Sequence, residues 1–172
     1  MTSPRQARGH LARLMAYHHW AADQMFAALA ELSTADLDLK WGGSFGTGRG
    51  LLQHVLGAER LWVDRWNHKA ASIPSYSPTL TGADFRDEWG RIKADQELFV
   101  EAATGDALTR ELTYTNIRGQ VKTYHMDDIL MHVVNHGTYH RGQISQLLRD
   151  RGRTSPSTDM ILYYETELAE SR

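Results

Sequence analysis

The chain has 172 residues, 41% of them apolar and 23% charged, which suits one domain built around a single core. Nineteen Lys and Arg against 21 Asp and Glu leave a net charge of −2, so no basic field points to nucleic acid or a membrane surface. Cysteine is absent, which removes disulfides, thiolate ligands and any protein thiol nucleophile. No stretch approaches the ~18 apolar residues of a membrane span, and the N-terminus lacks a signal-like apolar run, so a cytoplasmic protein is expected.

A first helix is expected from Pro4 to Leu32, capped by Ser3. Leu11, Met15, His18, Ala22, Met25, Leu29 and Leu32 alternate by four and three residues, the seam of a helix packed lengthwise on neighbours. A glycine-rich loop, Trp41 to Gly48, follows; with no strand before it and no Gly-Lys-Ser/Thr after it, it is not a phosphate loop. A second helix is expected over Leu51 to His68 and a third over Ala83 to Ala103, with a Pro/Ser loop between them. The β-branched and aromatic residues around Asn116 and Gly119 predict a short hairpin between Leu108 and Tyr124. A fourth helix should run from Met126 to Arg151 and stop at Gly152. One further helical turn is expected at Met160-Ile-Leu-Tyr-Tyr. The pattern predicts an all-α fold, an antiparallel four-helix bundle whose long crossover contains the hairpin, as one domain over residues 1–172.

Without cysteine, a transition-metal site must be built from the nine histidines and from carboxylates. His132, His136 and His140 are each four residues apart. Residues at i and i+4 share a helix face about 6 Å apart along the axis, so two such imidazoles can converge on one ion. Three cannot, because the outer two are about 12 Å apart at ~1.5 Å per residue. Ile129, Val133, His136, His140, Gln143 and Leu147 continue the four-and-three rhythm, whereas His132 falls off it. His136 and His140 are therefore the favoured pair inside the bundle, and His132 with His136 is the alternative. For the third ligand His54, early in the second helix, is favoured over His18. The rival readings are a hydrogen-bonded core histidine for His18 and a solvated His-x-x-x-His face for the pair. The motif is not His-Glu-x-x-His, so a metalloprotease lacks its general base. Glu59 reads as a surface residue or a distant support for the site. Arg141 reads as an anion-binding or interface residue, and His19 points away from the seam. Tyr17 and Trp20 read as core or as the pocket entrance, and Trp62, Trp66 and Trp89 as core and interface.

The segment His132-Val-Val-Asn-His136-Gly-Thr-Tyr-His140-Arg141-Gly142-Gln143 resembles the fourth-helix motif of the DinB family of helical-bundle metalloenzymes. Tyr17-His-His-Trp20-Ala resembles its first-helix segment, and Leu51-Leu-Gln-His54-Val-Leu-Gly-Ala-Glu59-Arg-Leu-Trp62 its second. The resemblance covers nearly the whole chain. It implies a four-helix bundle that is often dimeric and a metal held by His54, His136 and His140. His18 departs from it, standing where the family commonly has asparagine, and is a candidate to tune the site or add a ligand. Three histidines leave a position open on zinc or nickel, the two metals expected. Similar proteins include transferases that use thiols such as bacillithiol, and mycothiol-dependent isomerases. The expected function is a metal-dependent thiol S-transferase or related detoxification enzyme. The alternatives are a metal-assisted hydrolase and a non-catalytic, stress-responsive metal-binding dimer. A small-molecule substrate and a homodimer are the expected partners, with no nucleic acid and no membrane.

Overall fold

The computed structural model describes residues 4–69, 72–103 and 105–170; Ser3, the expected first cap, lies outside them. The described residues form seven helices and one two-stranded antiparallel sheet. In chain order they are α1 (Pro4–Leu29), α2 (Thr34–Asp38), α3 (Gly48–Trp66), α4 (Gly82–Ala102), α5 (Gly105–Thr109), β1 (Glu111–Thr115), β2 (Val121–His125), α6 (Met126–Asp150) and α7 (Met160–Glu170). No described helix is long and apolar enough to cross a membrane.

Local chemistry sets the boundaries and moves several from the expected places. The first helix stops at Leu29 rather than Leu32, because Ser33 and Asp36 form a reciprocal capping box that starts α2. Leu32 is still buried at the tail of the same seam. The second long helix begins at Gly48, three residues early, since the Thr47 side chain accepts the Gly50 amide and satisfies the helix start. Thr81 and Asp84 make a second capping box at the head of α4. The last long helix ends as expected, with Gly152 in the left-handed region at φ 68°.

The hairpin pairs Glu111 with His125 through Thr115 with Val121. Its turn is closed by Asn116, whose side-chain oxygen accepts the amides of Arg118 and Gln120, and by Gly119 at φ 75°. The tail forms an eleven-residue helix rather than one turn. Tyr163 packs edge-on against Tyr17, and Arg13 bonds Glu167, which ties α7 to α1.

The four long helices touch in a closed ring: α1 contacts α6 and α4, and α3 contacts the same two. Each residue of the expected first-helix seam, from Leu11 to Leu32, is buried, and all but His18 join the shared core with Trp66, Phe85, Trp89, Ile92 and Leu147. Burial of these side chains supplies the main driving force, at about 25 cal/mol per Å² of apolar surface removed from water.

Candidate metal centre

Two helices build the centre. His54 lies two turns into α3, and His136 and His140 lie one turn apart on α6. One ring nitrogen from each of the three falls within 4.8 Å of the others. The His136 and His140 rings are 4.3 Å apart, and the His54 ring is 4.8 Å from His140 and 5.4 Å from His136. His140 is buried, His136 is partly buried and His54 reaches solvent. The centre therefore runs from the buried His140, which lines a small interior cavity with Glu59, Gly137 and Arg141, out to His54 at the solvent.

Hydrogen bonding fixes one ring. His140 donates its Nδ1–H to Gln143 Oε1 at 2.7 Å, so His140 Nε2 presents a lone pair. That nitrogen lies 3.0 Å from His136 Nε2. Two nitrogens each ~2.0–2.1 Å from one ion stand about 3–3.4 Å apart, so this pair fits a divalent metal, and His54 completes a triad that could hold one. Burial first, then repulsion from His140, pushes the His136 pKa down to about 4. His54 is lowered by the same two causes, and His140 is lowered by burial against the opposing Gln143 bond. All three imidazoles are thus neutral near pH 7, the form that ligates. Phe45 stacks on His54 with ring centres 4.6 Å apart and stands 5.8 Å from His140, covering one side of the cluster.

Behind the triad runs a buried polar chain. Arg141 donates to His18 Nδ1 at 3.3 Å, to the Tyr17 hydroxyl and to Thr138. With Nδ1 accepting, His18 Nε2 carries the proton and faces Glu59 Oε1 at 3.4 Å. Gln96 donates to Glu59 Oε2 at 2.7 Å and accepts from His19 Nε2 at 2.9 Å. Burial works to raise the Glu59 pKa, but His18 and the bonds from His18 and Gln96 outweigh it and hold the pKa below its usual value. Gly137 lets the helices close here: a Cβ on it would overlap the His18 ring and lie 3.1 Å from Arg141 Nη1.

A model of the DinB family matches residues 4–172. The chain belongs to the DinB family. It is 28% identical to Protein DinB of Bacillus subtilis (strain 168) over 159 residues, which is 88% of this chain and 91% of that protein.

In this DinB-family chain the structure brings together the three histidines that the sequence favoured and leaves two others out. His132 is exposed, with its ring 5.5 Å from Trp62 and 5.9 Å from His136. His18 is committed to Glu59 and Arg141 and does not join the triad. Two expectations fail. Glu59 is 2% exposed rather than on the surface, because His18 and Gln96 satisfy its charge. Arg141 is buried by its Tyr17, His18 and Thr138 bonds and is not free for an anion or an interface. His19, off the seam as expected, is buried against α4 through Gln96. Tyr17 is core, its hydroxyl donating to Thr158 O. The orienting role of Gln143 is new; its spacing of three from His140 on one helix was the available signal. Phe45 had no such signal, since a loop delivers it.

Proposed function

We propose that this protein is a divalent-metal-binding member of its family that works as a thiol S-transferase with a low-molecular-weight thiol. His54, His136 and His140 hold zinc or nickel in this reading. The observation that carries it is the convergence of three neutral imidazole nitrogens within 4.8 Å, one of them held as a lone-pair donor by Gln143. The reading includes a single domain over residues 1–172, with the ring of long helices as an antiparallel four-helix bundle, assembled as a homodimer.

A metal in such a site supplies Lewis acidity, which lowers the pKa of a bound thiol or water. The chain's own residues do the rest. Gln143 fixes the His140 ring, and Phe45 shields the face of His54 from water. His54 faces solvent, so a cosubstrate has a way in; a sealed site would favour a structural metal. No cysteine is present, so the sulfur nucleophile arrives with the cosubstrate. In the overall reaction a carbon–sulfur bond forms, and the thiol proton and the leaving group depart.

The test is metal analysis of the purified protein beside His54→Ala and His136→Ala variants, with thiol conjugation assayed before and after chelation. Metal near one equivalent in the wild type, lost in both variants, together with turnover that stops on chelation and returns with zinc or nickel, supports the reading. Turnover indifferent to chelation sinks the enzyme; unchanged metal content in a variant removes that histidine from the site.

A further inference from the structure

A cavity of about 470 Å³ opens under the hairpin, lined by Trp62 of α3, Tyr114 and Tyr124 of the two strands, and Asp128, Ile129 and His132 of α6. Its volume is that of a small-molecule site. It adjoins the histidine cluster: the His132 ring stands 5.5 Å from Trp62 on the cavity side and 5.9 Å from His136 on the other. We propose that this cavity is the acceptor-substrate pocket of the neighbouring metal site, and that it takes a flat apolar molecule carrying a cationic or uncharged polar head rather than a carboxylate. The assignment to an acceptor rests on the transferase reading above; the ligand class rests on the cavity itself.

Three observations carry the ligand class. The walls are aromatic: Trp62 and Tyr114 meet edge to face at 5.3 Å, and Tyr124 lies 6.4 Å beyond Tyr114. Such rings give a flat molecule large contact area and edge or face partners. Ile129, 2% exposed, closes the apolar floor. The carboxylate among the described lining residues is Asp128, which when ionised attracts a cationic or hydrogen-bond-donating head and repels an anion. A first-turn position on α6 explains why an acidic residue is comfortable there, but not why three aromatic side chains frame it.

Two cations stand close by. Arg65 packs over Tyr114 at 4.2 Å and Trp62 at 4.8 Å, and Lys122 is the cross-strand partner of Tyr114. Neither lines the cavity. Arg65 braces the two rings, which fixes the wall before any ligand arrives and reduces the entropy lost on binding.

Three naphthalene probes of one size test this: trimethyl(2-naphthylmethyl)ammonium, 2-naphthylmethanol and 2-naphthoate. The quaternary ammonium cannot ligate a metal, so its binding reports on the cavity. Binding is read by calorimetry and tryptophan fluorescence, on protein as purified and after chelation. The ammonium and the alcohol are expected to bind, with the ammonium about tenfold tighter than the carboxylate on chelated protein. Asp128→Asn should remove that preference and keep the alcohol's affinity. Trp62→Leu and the exposed Tyr124→Ala should each weaken all probes about fivefold, with circular dichroism confirming the fold. Naphthoate binding as tightly as the ammonium on chelated protein, or affinities unmoved by both aromatic variants, would overturn the proposal. Loss of thiol conjugation on chelation decides the transferase reading separately, so a failure of either is distinguishable from a failure of the other.

Discussion

His140 Nδ1 and Gln143 Oε1 meet at 2.7 Å, one helical turn apart on α6, and this bond decides which nitrogen of His140 is free. The free one, Nε2, points at the His136 Nε2 atom 3.0 Å away. A side chain outside the triad therefore sets the tautomer of a candidate ligand.

Gln143→Leu should weaken metal binding about 10–100-fold, the usual cost of removing such a support, while leaving the fold intact. Gln143→Glu keeps an acceptor for the same proton and should recover most of the affinity. Competition with a fluorescent chelator measures both. Equal affinities for Gln143→Leu and wild type would show that His140 is oriented by packing alone.

Metal should also stabilise the fold. A ligand at one hundred times its Kd contributes about 2.7 kcal/mol, which raises Tm by roughly 5–10 °C for a domain of this size. Zinc or nickel should give that rise in the wild type, and little or none in His54→Ala or His140→Ala. A similar rise in those variants would place the metal elsewhere.

Gly137→Ala introduces a methyl group where the His18 ring sits. Overpacking of this kind costs about 1–3 kcal/mol, and here it also pushes on the Arg141–His18–Glu59 chain. A Tm lower by several degrees is expected. Gly142→Ala, on the same helix with nothing within 4 Å of the new methyl group, is the control and should not lose stability.

Acid should destabilise the metal-free protein from just below neutral pH. Burial first, then repulsion from His18, lowers the His19 pKa from 6.5 to about 4. Between those values the unfolded chain binds a proton at this residue and the folded chain does not, so stability falls as pH drops from about 6.5 to about 4. The His19 share is up to about 3 kcal/mol. His136, also lowered to about 4, adds loss in the same window. Urea melts at pH 7 and pH 5 should show a smaller drop in His19→Asn than in the wild type; parallel curves would mean that His19 takes up its proton without cost.

Much of the helical framework was legible because its signals are local. The α1 seam from Leu11 to Leu32 is buried throughout, and Gly152 ends α6 where its freedom to adopt positive φ allows. Boundaries moved where a cap outweighed the hydrophobic rhythm. Ser33 and Asp36 cut the first helix short, and Thr47 started α3 across glycines of low helix propensity.

The sequence by itself determined the metal-compatible pair, because a spacing of four on one helix places His136 and His140 on one face whatever surrounds them. His54 was favoured beside that pair from its place early in the second helix, and the family resemblance implied the same residue. Tertiary structure alone decided the rest. Helical periodicity gives a direction around an axis but not what waits there, so it could not show that Glu59 and Arg141 are buried or that His19 finds Gln96 on α4. Nor could it show that His54 reaches solvent under Phe45, a side chain that a glycine-rich loop carries in from outside the helices.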